Sequence, residues 1–119
     1  MSRPVLDTRK LAGAVGDSLA QEFVDRVMVS LGESLPALEN LCNGGDLAGV
    51  RALAHTLKSS TAAIGAMRVA DALARLEQAA GAGQRSTAGS IMDTMPGLVD
   101  ELREHVEDPD RPGRFGCGS

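Results

Sequence analysis

One stretch of this 119-residue chain decides its fold: residues 47–65 have the sequence LAGVRALAHTLKSSTAAIG. Asp46 stands directly before the stretch, where an N-cap residue belongs, and Gly65 marks the turn that follows it. Apolar residues recur between them at the three- and four-residue spacing of a single helix face. The pattern predicts an amphipathic helix over about 47–64, with these residues on its buried face: Val50, Leu53, Leu57 and Ile64.

The rest of the chain also has helical spacing, and we find no strand pattern in it. Glycine-rich breaks separate the helical segments, which we place at about 8–14, 18–41, 47–64, 68–80 and 87–106. Asp7 is the expected N-cap of the first helix, and Asp17 that of the second. Pro36 and Pro96 lie inside the second and fifth segments. Because proline removes a helical hydrogen bond, we expect a kink or a break at each.

Short loops between long helices favour an all-α fold, an antiparallel four-helix bundle with the first, short helix as an N-terminal lid. We assign residues 1–107 to this single domain. Residues 108–119 are charged and rich in proline and glycine, so we expect them to form a disordered tail. His105 lies near the end of the last helix without a lysine three residues on, and we expect it to be structural or merely exposed.

Composition excludes several classes of protein. The net charge of -4 argues against a nucleic-acid-binding surface, which is normally basic. No apolar run approaches the roughly 18 residues of a membrane span, and the N-terminus lacks a secretory pattern. Cys42 and Cys117 have no zinc-ligand spacing and are expected to be free thiols. We therefore expect a cytoplasmic protein that binds neither nucleic acid nor membrane.

The outer face of the 47–64 helix carries a histidine beside a cation. On a helical wheel of about 100° per residue, His55 points nearly opposite the buried stripe, and Lys58 lies one turn further along. The neighbours of His55 on that face are small or cationic, with no carboxylate among them: Ala48, Arg51, Ala52, Lys58, Ser59 and Ala62. The small residues leave room for another protein to approach the ring.

This combination suits phosphoryl transfer. A neutral imidazole is a nucleophile, and an exposed imidazole is mostly neutral at cytoplasmic pH. A nearby cation stabilises the negative charge spread over a transferring phosphoryl group. We therefore interpret His55 as a phosphoryl acceptor assisted by Lys58. Arg51, one turn before the histidine, either assists as well or meets an acidic partner surface.

The sequence His55-Thr56-Leu57-Lys58-Ser59-Ser60, followed by Ile64-Gly65-Ala66, resembles the signature of histidine-containing phosphotransfer (HPt) domains of two-component phosphorelays. The similarity extends over about residues 5–106 and includes the turn Gly44-Gly45-Asp46 and the helix that ends with Leu76-Glu77. The resemblance implies that His55 accepts a phosphoryl group on Nε2 from a receiver-domain aspartate and passes one on. Lys58 matches the lysine of the family. Ser59 stands where glycine is commonest; it is small, and its hydroxyl can donate to a phosphoryl oxygen.

No nucleotide-binding glycine loop and no Asp/Asn set for a Mg²⁺–nucleotide complex is evident in the sequence. We therefore expect a phosphocarrier without kinase activity of its own and without a cofactor, with Mg²⁺ present only in the partner receiver domain. We expect the chain to act as a monomer. The initial Met1 favours a free-standing protein over one domain of a larger hybrid kinase.

An alternative function and an alternative role for the second helix stay open. A noncatalytic helical adaptor, which docks a receiver or kinase domain without carrying phosphate, needs the same exposed face. A receiver also needs an apolar docking patch beside the histidine, and the second helix is the candidate for supplying it. Its stripe of Val24, Met28, Leu31 and Leu35 either belongs to the core or forms that patch.

Overall fold

The computed structural model describes residues 4–107, which form five α-helices and no strand. Their bounds are α1 Arg9–Val15, α2 Asp17–Asn43, α3 Leu47–Ala63, α4 Met67–Gly81 and α5 Arg85–Glu107. Consecutive helices from α2 to α5 pack side by side and α5 returns to α2, so these four close a bundle, while α1 packs on α2. The predicted helical bundle with a short N-terminal helix is confirmed. The predicted tail, 108–119, lies outside the described residues.

An aliphatic core holds the bundle together. Its largest completely buried side chains include Leu31, Leu38, Ile64, Leu73, Leu76, Met95 and Leu102. On α3, Val50, Leu57 and Ile64 are buried as predicted, whereas Leu53 is only half-buried. Burial of this face fixes the rotation of α3 and turns its opposite face to solvent. No helix within residues 4–107 has the length and apolar character needed to cross a membrane.

The apolar stripe of α2 belongs to the core. Val24 and Leu31 are completely buried, and Met28 is half-buried. A partner cannot reach a completely buried side chain, so our assignment of Val24 and Leu31 to a docking patch is corrected. The physical reason is that α2 packs against α3 and α5 at once and therefore needs a wide apolar arc.

Neither proline breaks its helix, so of the predicted kink or break, the break does not occur. α2 continues through Pro36 to Asn43, and α5 continues through Pro96 to Glu107. Both prolines lie on the exposed side of their helices, where water can solvate the carbonyl that loses its partner. Buried residues on either side hold each helix in place: Leu31 and Leu38 in α2, Met95 and Val99 in α5.

Two glycine turns flank α3. Gly45 has a φ of 74°, and Asp46 then caps the helix as predicted, because its carboxylate accepts a hydrogen bond from the backbone N–H of Gly49 at 3.0 Å. After the helix, Gly65 has a φ of 81°. This left-handed conformation costs any residue with a Cβ about 1–2 kcal/mol.

The N-terminal segment, residues 4–8, lies across the turn between α3 and α4. The backbone N–H of Asp7 donates to the carbonyl oxygen of Gly65 at 2.9 Å, and that of Arg68 donates to Pro4 at 3.3 Å. Val5 and Thr8 are buried within the segment. α1 begins at Arg9 with Thr8 at the N-cap position, although the Asp7 carboxylate still accepts from the N–H of Arg9 at 3.2 Å. The segment thereby fixes the short first helix to the bundle.

Candidate functional site

His55 projects into solvent from the middle of α3, because the buried stripe of that helix points the other way. Its side chain is 61% exposed. The ring borders an open depression of about 570 Å³, lined by Ala48, Arg51, Ala52, His55 and Glu77. The two alanines add little bulk, so a second protein has access to the ring.

A carboxylate from the neighbouring helix completes the site. Glu77 of α4 contacts the Nδ1 atom of His55 at 2.8 Å and accepts a hydrogen bond from Nζ of Lys58 at 2.6 Å. The side chains of Glu77 and Lys58 are 19% and 33% exposed, so both are more enclosed than the imidazole. Our description of the surroundings of His55 as small or cationic is therefore corrected, since it counted only residues of α3.

The two hydrogen bonds keep Glu77 ionised. The bond from Lys58 is the main cause that lowers the pKa of Glu77 from its usual value; partial burial opposes it, and the bond from His55 adds to it. A carboxyl group whose pKa is lowered on folding stabilises the folded state at neutral pH. That contribution is lost as the pH falls below the usual range of a glutamate.

An ionised carboxylate accepts hydrogen bonds and donates none, so the contact with Glu77 requires Nδ1 of His55 to carry the proton. In the neutral ring the lone pair then resides on Nε2. Glu77 thus selects the tautomer of the neutral ring in which Nε2 is unprotonated. It also holds Lys58 beside the same ring.

The other predicted site residues divide into two groups. Arg51 and Ala52 line the depression beside His55, whereas Ala62 lies on a separate groove of about 550 Å³ between the N-terminal part of the chain and the end of α3. Ser59 is exposed, and its hydroxyl donates to the carbonyl oxygen of His55 at 3.2 Å. Its predicted role as a donor to a phosphoryl oxygen stays a prediction.

His105 has different surroundings. Its Nδ1 atom is 3.0 Å from the carbonyl oxygen of Glu101, within the last turns of α5. Within residues 4–107, no three His, Cys, Asp or Glu side chains are grouped as metal ligands would be.

A family comparison agrees with this geometry. The model of the Hpt domain matches residues 22–105, well over half of the chain. The chain belongs to the Hpt domain family. The matched part of this Hpt domain contains His55, Lys58 and Glu77, and it covers most of α2 and α5 with α3 and α4 between them. Neither a curated protein nor a solved structure matches the chain.

Membership indicates that the protein takes part in phosphorelay histidine phosphotransfer and interacts with phosphorelay partners of the receiver or kinase kind. Hpt domains are phosphocarriers rather than kinases.

Glu77 is the residue of this Hpt domain that sequence reasoning missed. The available signal was its place at the edge of the apolar stripe of α4, one residue after the buried Leu76. An acidic residue there lies beside the seam with the next helix, where it can reach across to a cation. Residue spacing within α4 cannot show which side chains of α3 Glu77 contacts.

Two substitutions separate the charge of Glu77 from its hydrogen-bonding role. Glu77→Gln retains an oxygen that can accept from Nδ1, whereas Glu77→Ala removes the acceptor altogether. A hydrogen bond to a charged group contributes about 1.5 kcal/mol or more, so we expect Glu77→Ala to slow phosphorylation of His55 by roughly tenfold. We expect Glu77→Gln to recover part of that loss. The measurement is the single-turnover rate of phosphorylation, and equal rates for both variants and the wild type would contradict the positioning role.

Proposed function

We propose that this Hpt domain reversibly accepts a phosphoryl group on Nε2 of His55 from the aspartate of a receiver domain or hybrid kinase, and passes it to another response regulator. The observation that carries the proposal is the arrangement around one exposed ring. Nδ1 of His55 is bound to one oxygen of Glu77, which leaves Nε2 unprotonated in the neutral ring, and Lys58 binds the other oxygen of the same carboxylate.

The transfer step follows from that arrangement. The lone pair on Nε2 attacks phosphorus in line, the bond between phosphorus and the aspartyl oxygen breaks, and the carboxylate leaves with the electron pair. The ring gains positive charge as the N–P bond forms, and the ionised Glu77 at Nδ1 stabilises it. The Lys58 ammonium stabilises charge on the phosphoryl oxygens. Mg²⁺ would be contributed by the acidic pocket of the receiver and not by this chain.

The same arrangement supports reversal. The imidazole is largely open to solvent and residues 4–107 do not cover it, so an acceptor aspartate can reach the phosphorus from the side opposite Nε2. We accordingly propose a phosphocarrier role without kinase activity, in agreement with the family. The cytoplasmic location predicted from the free cysteines belongs to the same proposal.

The partner would approach over the small side chains of Ala52, Ser59 and Ala62, all of which are exposed. Since Val24 and Leu31 are buried, they are not part of the docking surface that we propose, and Met28 can contribute only at its edge.

Transfer from a labelled phosphorylated receiver domain to the full chain tests the proposal. We expect a label on the chain that acid removes and base does not, as a phosphoramidate bond requires. We also expect the label to return to unphosphorylated receiver added in excess. If the chain binds phosphorylated receivers but never acquires label, the protein is a noncatalytic adaptor and the proposal is wrong.

A further inference from the structure

Arg51 differs from Lys58, the other cation of the site, because it has no acidic partner in the part of the chain that the structure describes. Residues 51, 55 and 58 are four and three residues apart, so their side chains lie along one side of α3. Arg51 is exposed, and within residues 4–107 its guanidinium makes no ion pair or hydrogen bond. Lys58, by contrast, is only 2.6 Å from a Glu77 oxygen.

The side chain of Arg51 rests against the end of α4. A Cβ placed on Gly81 would lie 3.4 Å from both Cδ and Nε of Arg51, so the bare glycine provides the surface on which the arginine packs. Arg51 lines the depression that contains His55, and it also lines a second depression of about 520 Å³ together with Lys58 and Gln78. Arg51 therefore lies between the depression beside His55 and the one beside Lys58.

Charge balance changes when His55 is phosphorylated. Before transfer, the charges of Lys58 and Glu77 offset each other within one ion pair. The phosphoryl oxygens carry about 1.5 to 2 negative charges at neutral pH, and the positive charge that the ring gains offsets only part of them. Arg51 is the cation of this cluster that makes no ion pair within residues 4–107, and its planar guanidinium can donate two parallel hydrogen bonds to phosphoryl oxygens.

We propose that Arg51 binds the phosphoryl group carried by His55 and stabilises the phosphorylated state. The proposal rests on the proposed function and assigns a second phosphoryl-binding residue in addition to Lys58. It is distinct from the alternative in which Arg51 meets an acidic surface of the partner protein.

A small donor removes the partner from the test. Phosphoramidate transfers its phosphoryl group to histidine: the N–P bond of the donor breaks, ammonia leaves, and a bond forms between phosphorus and Nε2. The pH titration of the phosphohistidine ³¹P signal then reports the second ionisation of the bound phosphoryl group. We compare the wild type with Arg51→Gln and use Arg75→Gln as the matched control, since Arg75 is an exposed arginine of α4 that makes no hydrogen bond or ion pair within residues 4–107.

We expect the pKa of that ionisation to rise by about 0.5–1 in Arg51→Gln, because a neighbouring cation favours the dianion, and to stay unchanged in Arg75→Gln. Identical titrations of Arg51→Gln and the wild type would overturn the assignment. If the titrations are identical but Arg51→Gln accepts phosphate from a receiver more slowly than the wild type, Arg51 contacts the surface of the partner instead of the phosphoryl group. If the wild type yields no phosphohistidine signal, the proposed function fails as well, which distinguishes that failure from failure of the Arg51 assignment alone.

Discussion

Replacement of Gly65 by alanine is expected to lower the free energy of unfolding by about 3 kcal/mol or more. The φ of 81° costs a residue with a Cβ about 1–2 kcal/mol. In addition, the new Cβ would overlap the carbonyl oxygen of Asp7, which is backbone and cannot rotate away. Forced overpacking of this kind costs about 1–3 kcal/mol. The N-terminal segment must detach or the turn must distort, and detachment would expose Val5 and Thr8.

Urea unfolding followed by circular dichroism measures this loss, with Gly97→Ala as the matched control. Gly97 lies inside α5, is exposed, and has no atom within 4 Å of its Cβ position. Because alanine favours helix over glycine, we expect Gly97→Ala to raise stability by about 0.5–1 kcal/mol. A Gly65→Ala variant as stable as the wild type would show that residues 4–8 do not hold the turn.

Replacement of His55 by glutamine is expected to abolish phosphorylation while leaving the fold intact. Glutamine has no nucleophilic ring nitrogen, so the N–P bond cannot form. The side chain is 61% exposed and fills no part of the core, so the change in unfolding free energy should stay below about 1 kcal/mol. Transfer of labelled phosphate measures the loss of phosphorylation, and thermal unfolding of the same preparation measures the change in stability.

His105→Gln is the matched control for that variant, because it removes the other histidine of the chain. We expect His105→Gln to accept phosphate at the wild-type rate. Label that persists in His55→Gln, or is lost in His105→Gln, would place the phosphoryl group on another residue. Unfolding of His55→Gln would contradict the outward orientation of the ring.

The sequence predicted correctly the features that local interactions determine. The spacing of Val50, Leu57 and Ile64 predicted the buried face of α3, and Asp46 was recognised as its cap from its position alone. The exposure of His55 followed from the same wheel. Of the kink or break expected at Pro36 and Pro96, the break does not occur, because tertiary packing on both sides of each proline outweighs the local cost.

The remaining errors concern contacts between segments distant in the chain. Glu77 is 22 residues from His55, and only the packing of α4 on α3 brings the two side chains together. Gly65 was recognised as a turn residue, but the crossing of Asp7 over it depends on where the N-terminal segment docks. The burial of Val24 and Leu31 likewise required knowing that α2 packs against both α3 and α5.

The central claim is that Glu77 fixes the tautomer of His55 and leaves Nε2 to form the bond with phosphorus. Long-range ¹H–¹⁵N NMR of the phosphorylated chain tests it most directly, because it identifies the ring nitrogen coupled to phosphorus and the one that carries a proton. We expect phosphorus on Nε2 of His55 and a proton on Nδ1. Phosphorus on Nδ1, or on any residue other than His55, would contradict the account.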